Sequence, residues 1–230
     1  MKYKFKKDVI GWDIFNWGES LNFFDKNINY NKVKNVLELG AYNQSGGYAL
    51  YFAEKKLDVT CSGYYHPGEK LISIHKKYNF DKYIKYCRID ASNIQNKEKF
   101  DIVCFKSMLG GIVGKWDKNK VEIVIDEIHK SLNKNGYLVF SENISSTRFH
   151  DILRSMTKDS NWYYLKQDEI NNLINNKFEV ISQKTSGFLG CFGRNEFQRS
   201  ILSVFDRLFF NHILPSKFHY ILFSVLKKIN

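Results

Sequence analysis

Residues 36–53 read Val36-Leu37-Glu38-Leu39-Gly40-Ala41-Tyr42-Asn43-Gln44-Ser45-Gly46-Gly47-Tyr48-Ala49-Leu50-Tyr51-Phe52-Ala53. The run from Val33 to Leu39 predicts an apolar strand, and Gly46 to Lys55 an apolar-periodic helix. A glycine-bearing loop joins them. Strand, glycine loop and helix in this order let a small ligand approach the backbone and rest on a helix N-terminus. Glu38 is the unusual residue, because a carboxylate at the end of a buried strand needs a polar partner. Two partners fit: the loop itself, which Glu38 would cap, or a ligand carrying an amine.

Outward from this stretch, strand and helix signals alternate. Leu57 to Ser62, Tyr83 to Ile89, Phe100 to Phe105 and Tyr137 to Ser141 read as strands two to five. Glu69 to Tyr78 and Val121 to Leu132 read as helices, the second stopped by Asn133-Lys134-Asn135-Gly136 with a C-cap glycine. Phe178 to Ser182 follows as a sixth strand, Glu196 to Phe210 as a helix, and His219 to Leu226 as a last strand. Alternation of this kind predicts an α/β, doubly wound, mostly parallel seven-stranded sheet. A final strand that enters without a long crossover inserts antiparallel. The first thirty residues, with Trp12, Phe15, Trp17, Phe23 and Phe24, are expected to form a helical cap over the sheet or its crevice. No linker, repeat or low-complexity block interrupts residues 1–230, so a single domain is expected.

Composition narrows the setting. The chain has 230 residues, a formal charge of +11 and four cysteines. Cys61, Cys87, Cys104 and Cys191 show no CxxC pairing and three of them sit in apolar runs, which argues for a reducing, cytoplasmic setting and no metal site. No apolar h-region follows the basic N-terminus, and no uncharged run reaches the ~18 to 20 residues of a spanning helix. The tail from Ile201 to Leu226 is broken by charges and a proline, though its aromatics leave peripheral membrane contact open. Lysines are scattered in twos and threes with no basic block. That pattern favours a solvated surface over nucleic-acid binding and stays compatible with an anionic small substrate.

In a parallel sheet the chemistry lies just past the strand ends. Those positions are Glu38 and Gly40, Ser62 to Tyr65, Asp90, Lys106 and Ser107, and Glu142 and Asn143. Asp90, with the small Ala91 behind it, suits an adenine amino group held against an apolar wall, or else caps a turn. A dinucleotide would need G-x-G-x-x-G, and Tyr42 stands where the second glycine should be. S-adenosylmethionine has no phosphates to cradle, and its ammonium gives Glu38 a cationic neighbour.

The chain resembles class I S-adenosylmethionine-dependent methyltransferases, and within them a bacterial subgroup linked to surface-polysaccharide biosynthesis. The resemblance is carried by WDIFNWGESLNFF (Trp12 to Phe24), VLELGAYNQSGG, FDIVCFKSMLGGIVG (Phe100 to Gly114), IDEIHKSLNKNGYLVFSEN, TSGFLGCFGRNEFQRS and the terminal HYILFSVLKK. It spans nearly the whole chain and implies a Rossmann-like methyltransferase fold. One departure stands out. Such enzymes usually place an acid after the second strand for the ribose hydroxyls, whereas this chain has Ser62-Gly63-Tyr64-Tyr65 and no carboxylate until Glu69.

These readings give a set of expectations. Glu38, Gly40, Tyr42, Gly46, Ser62, Gly63, Tyr64, Asp90, Ala91 and Lys106 bind the cofactor S-adenosylmethionine. Glu142 or His150 takes a proton from an oxygen acceptor, unless Glu142 instead pairs with Lys106 and His150 caps a helix. Trp12, Trp17, Asn143 and Arg194 contact the acceptor, with Lys106 or Arg194 holding an anionic group on it. The acceptor class is a sugar, nucleotide-sugar or phosphorylated precursor of capsule or surface polysaccharide. A nucleic-acid or protein methyltransferase and a non-catalytic binding subunit remain alternatives. FKSMLGG at the fourth strand end lacks the motif of amino-directed DNA enzymes.

Overall fold

The computed structural model describes residues 3–41, 45–115, 118–155 and 162–229. Seven strands form one sheet: β1 (Asn35–Leu39), β2 (Asp58–Gly63), β3 (Ile84–Arg88), β4 (Phe100–Lys106), β5 (Leu132–Asn143), β6 (Phe178–Ser186) and β7 (Ile221–Lys228). Their order is β3-β2-β1-β4-β5-β7-β6. Strands β1 to β5 pair in parallel, and β7 runs antiparallel between β5 and β6. The chain turns from β1 outward in both directions, so the switch point lies between β1 and β4, where a ligand crevice opens beyond the carboxyl ends.

Three N-terminal helices, α1 (Tyr3–Ile10), α2 (Ile14–Trp17) and α3 (Glu19–Asn27), precede the sheet. Trp17, Leu21 and Phe24 are fully buried there, packed with Tyr48, Tyr51 and Phe52 of α4 (Gly47–Glu54) and Phe223 of β7. Every residue of α4 from Gly47 to Ala53 is buried. A helix apolar all round has to lie inside, and α4 does so between the sheet and the N-terminal helices. α5 (Glu69–Lys77) follows β2, and its His75 donates through Nε2 to Gly46 O at 2.7 Å.

The opposite face is covered by α6 (Leu109–Lys115), α7 (Lys118–Ser131) and, after α8 (Arg148–Ser155), α9 (Gln167–Ile174). Here Leu37, Val103, Phe105, Leu138 and Phe140 of the strands pack on Val121, Val124, Ile128 and Ile170. The alternating inward set on both faces of β1 and β4 explains why these strands read as continuous apolar runs.

Some boundaries differ from the sequence expectation. Helix α6 was not foreseen, because Gly110 and Gly111 weaken its helical signal. Asn135, not Gly136, takes the left-handed backbone after α7, at φ 61°; asparagine tolerates that region. The expected helix from 196 to 210 divides into α10 (Glu196–Phe205), a π-turn over Asp206–Phe210 and the short α11 (Asn211–Ile213). The last strand begins at Ile221, since His219 closes a turn on Ser216 O at 3.0 Å.

Candidate functional site

Two adjoining hollows lie at the carboxyl ends of the central strands. The smaller, about 160 Å³, is lined by Gly40, Tyr64, Tyr65, Ile89, Asp90, Ala91, Met108, Ile112, Lys120 and Val124. The larger, about 590 Å³, is walled by Ile10, Gly11, Trp12, Glu38, Gly40, Ala41, Ser45, Gly47, Lys106, Ser107, Met108 and Trp162. Gly40 and Met108 belong to both, so the hollows form one bent cleft. A third hollow of about 410 Å³, around Val33, Asp101, Gly136 and Lys227, sits at the opposite end of the strands, away from where doubly wound sheets bind ligands.

Gly40 (φ +68°) turns the chain out of β1, and a Cβ there would stand 3.1 Å from Met108 Cγ and Sδ. Glu38 is 2 % exposed and spans the loop to α4, accepting from Tyr48 N at 2.7 Å and Ala49 N at 3.0 Å. It therefore caps the helix and lines the cleft at once, and the two sequence readings of this residue are compatible. Burial pushes its carboxyl up to about 7, against the pull of those two amides and of the Lys106 charge.

Lys106, at the end of β4, donates to Ile10 O at 2.7 Å and stands 5.7 Å over the Trp17 ring. Burial lowers its pKa to about 8, partly offset by Glu38. It does not pair with Glu142. Next to it, Ser107 takes a left-handed φ of 52° and accepts from Asn143 Nδ2 at 2.9 Å. Strain of that kind at a cleft wall persists only where neighbours enforce it, here the Ser107 N–H to Ser141 O bond of 2.7 Å as well.

In the smaller hollow, Asp90 Oδ1 accepts from Ser92 N at 2.9 Å and Ser92 Oγ at 2.7 Å. Burial raises its pKa, but those two bonds together with the Lys120 and Arg88 charges hold the carboxyl below its usual range. Tyr64 and Tyr65 stack edge to face at 5.1 Å where an acid was missing from the sequence, and Arg88 lies 5.5 Å from the Tyr64 ring.

Several expected site residues are not brought to the cleft. Glu142 is fully buried and accepts from Met108 N and Leu109 N, each at 2.8 Å, and from Asn143 N at 3.2 Å. It caps α6 from behind, so it is not positioned as a base. His150 is buried among Phe188, Phe192 and Tyr220, with Nδ1 2.7 Å from Thr147 Oγ1 and Nε2 2.9 Å from Phe188 O. Both nitrogens are committed there, and His150 does not line either hollow. Ser62 is buried and donates to Glu38 O at 2.7 Å. Gly63 and Gly46 lie behind the wall: a Cβ on Gly63 would stand 3.0 Å from Ala41 O and Tyr65 O, and Gly46 N donates to Asp8 O at 2.7 Å. Trp17 is fully buried and forms the floor beneath Lys106. Asn143 supports Ser107 without lining the cleft. Arg194 is exposed on the loop before α10. Tyr42 falls outside the described residues.

Other residues take their places. Ser45, Gly47, Ser107 and Met108 line the wall, and Trp162 closes it. A Cβ on Gly110 would overlap the Trp162 indole, and one on Gly111 would stand 3.0 Å from it. The Leu109-Gly110-Gly111 signal in the sequence is thus a bed for Trp162. Trp12 is set at the mouth by Asp13, whose φ of 43° is held by a buried polar cluster. In that cluster Asp13 accepts from Ser203 Oγ at 2.7 Å and from Tyr220 Oη, while Glu196 accepts from Asp13 N at 2.8 Å. Asn16 Nδ2 donates to Asp206 at 2.8 Å. A Cβ on Gly190 would overlap Asn16 Nδ2. The WDIFNW and GFLGCFGR segments accordingly meet as one structural joint behind the cleft wall, with Trp12 at its cleft-facing end.

Among the described residues no cluster of His, Cys, Asp and Glu has metal-binding geometry, and no helix is long and apolar enough to cross a membrane. No protein-family model matches the chain, and no curated protein matches it in sequence. Solved structures do match in shape. The 1,6-didemethyltoxoflavin-N1-methyltransferase of Burkholderia thailandensis, with bound 1,6-didemethyltoxoflavin and S-adenosylhomocysteine, superposes with TM-score 0.61 at 13% identity, over 92% of this chain and 77% of that one. A SAM-dependent methyltransferase from Methanosarcina mazei gives 0.60 at 11% identity, over 90% and 97%. The [4+2]-cyclase SpnF gives 0.60 at 11% identity, over 91% and 80%. The chain has the Rossmann-like methyltransferase fold, with the antiparallel β7 expected from its sequence.

Proposed function

We propose that the bent cleft binds S-adenosylmethionine and that the chain is a methyltransferase for a small polar acceptor. The observation that carries this reading is the shared wall. Asp90 lies in one hollow, Glu38 in the other, and Gly40 under Met108 joins them. That layout suits an adenine at Asp90 and an amino-acid ammonium at Glu38. The open backbone at Gly40 and the glycine at 47 give the passage between them its width. The methyltransferases named above share the fold, and one of them contains S-adenosylhomocysteine.

In this reading the Asp90 oxygen not engaged by Ser92 accepts from the exocyclic amine of adenine, and Ile89, Ala91, Ile112 and Val124 supply the apolar walls. The Tyr64 and Tyr65 hydroxyls replace the missing acid at the ribose. Glu38 faces the ammonium. The bound group supplies an activated methyl on a sulfonium, so the chain contributes alignment and exclusion of water. Trp12 and Trp162 cover the larger hollow, and Lys106 orients an acceptor through an anionic group such as a phosphate or carboxylate. Those features fit a nucleotide-sugar or phosphorylated sugar precursor of surface polysaccharide, the acceptor class implied by the sequence resemblance.

A second reading is favoured by Tyr64 and Tyr65 standing where an acid usually holds the ribose: a cofactor-binding subunit without transfer activity. Radiolabelled methyl transfer from S-adenosylmethionine to a panel of nucleotide-sugars separates the two. Transfer to a member of the panel supports the enzyme, and cofactor binding with no transfer to any supports the subunit.

A further inference from the structure

The helix that follows the GFLGCFGR segment is built inside out. Ser203 and Asp206 are fully buried, whereas Phe197, Ile201, Val204, Phe205, Leu208, Phe209 and Ile213 are exposed. The exposure is large, 75% for Phe197, 64% for Leu208 and 72% for Ile213. A helix that packs on a protein by hydrophobic burial has the reverse arrangement. Here the inner face is held by polar bonds. Asp206 accepts from Leu189 N at 2.8 Å, Gly190 N at 2.9 Å and Asn16 Nδ2 at 2.8 Å. Ser203 joins Asp13 and Asn16.

The apolar side chains form one stripe. At about 100° per residue, positions 197, 201, 204, 205 and 208 fall within an arc of roughly 100°. The π-turn over Asp206–Phe210 inserts one extra residue per turn, which brings Ile213 back to the same side. Exposed apolar surface of this extent marks a docking face.

Charge identifies the partner. Between residues 194 and 217 the cations are Arg194, Arg199, Arg207 and Lys217, and the acids are Glu196 and Asp206. Both acids turn inward, Glu196 onto Asp13 N and Ile14 N at 2.8 and 2.9 Å, Asp206 into the buried cluster. Arg194, Arg207 and Lys217 are exposed. Arg207 and Lys184 share Glu19, at 3.4 and 2.8 Å. A second copy docked on this face would set arginine and lysine against their own kind, which like-charge repulsion opposes. An anionic bilayer accepts both features, the apolar stripe among the acyl chains and the cations at the headgroups.

We infer that α10, the π-turn and α11 form an interfacial helix that docks this protein on the surface of an anionic lipid bilayer. The inference is independent of what the cleft binds. Arg199, on the side of α10 away from the stripe, stands 5.6 Å over the Trp12 ring.

The experiment is flotation of the full chain with vesicles of equal parts phosphatidylcholine and phosphatidylglycerol, and with phosphatidylcholine alone. The expected result is flotation with the anionic vesicles only, weakened by salt. The Phe197→Ser/Leu208→Ser variant should lose flotation, and the Arg194→Gln/Lys217→Gln variant should reduce partitioning roughly tenfold or more. Both pairs are solvent-facing, and circular-dichroism melts verify that each variant is folded. No flotation with either vesicle overturns the inference, as does equal flotation with both. A dimer by light scattering that the Phe197→Ser/Leu208→Ser variant dissociates, in protein that does not float, also overturns it.

Discussion

Gly47 leaves no room for a side chain beside Glu38: its φ is +63°, and a Cβ there would overlap the Glu38 carboxylate. The carboxylate therefore reaches both Tyr48 N and Ala49 N across a glycine that only lacks a Cβ to permit it. Gly47→Ala is expected to destabilise the protein by roughly 1 to 3 kcal/mol through backbone strain and displacement of Glu38. Denaturant unfolding checks this. A fall in cofactor affinity beyond the loss in stability would place Glu38 in the binding site as well as in the cap.

Asp90 is fixed by Ser92 through one oxygen, and the other is left for a ligand. Asp90→Ala should weaken S-adenosylmethionine binding by roughly 1 to 3 kcal/mol, the cost of leaving a buried polar partner unpaired. Titration calorimetry on the variant reads this directly. An unchanged dissociation constant would remove Asp90 from the adenine role.

Glu142 and His150 give a contrast between structural and catalytic residues. Glu142→Gln replaces an acceptor facing Met108 N, Leu109 N and Asn143 N by a group with one donor end. The expected loss is about 2 to 4 kcal/mol of stability. His150→Phe keeps an aromatic in its cluster and should leave kcat within a few-fold of the parent. A loss of more than a hundredfold in kcat with normal stability would restore His150 as a base.

The fold and its crevice were legible in the sequence because periodicity and strand-end logic depend on neighbours along the chain. Val36 to Leu39 and Phe100 to Phe105 had no other way to be buried. Glu38, Gly40, Asp90 and Lys106 followed from their addresses at strand ends. Side-chain direction did not follow. Glu142 and Ser62 occupy strand ends yet point behind the wall, and His150 sits in an aromatic nest built from residues 188, 192 and 220. The same holds for Trp162, whose place depends on Gly110 and Gly111 some fifty positions earlier. The sequence signal for it was the double glycine, which reads as a weak helix until the indole is seen against it.

The buried carboxyls should lower stability as pH rises from about 4 to about 7, against an opposite contribution from His75 and His219, whose pKa values burial lowers. Burial holds Asp13 at about 6 and Glu38 and Glu142 at about 7 in the folded chain, against roughly 3.9 to 4.3 when unfolded. Between those values the folded state binds more protons, so these groups favour it at the acid end and the preference is lost as pH climbs through the folded values. Thermal melts across this range should show the trend, and Asp13→Asn should flatten it below pH 6. A slope unaffected by that substitution would contradict the assignment.

Lys106 supplies a test of the acceptor's charge. With its pKa lowered to about 8 by burial, it is charged below that pH and loses its proton above it. If it holds an anionic acceptor, kcat/KM should decline as pH rises through about 8, and Lys106→Met should raise KM while leaving cofactor binding intact. A rate that climbs through the same range would assign Lys106 the opposite role, that of a proton acceptor.

Calorimetric titration of the unmodified chain with S-adenosylmethionine and S-adenosylhomocysteine tests the central claim most directly. One site with a dissociation constant of roughly 1 to 100 μM is expected, weakened by Asp90→Ala. A flat titration with both compounds would contradict the assignment of the cleft between Glu38 and Asp90.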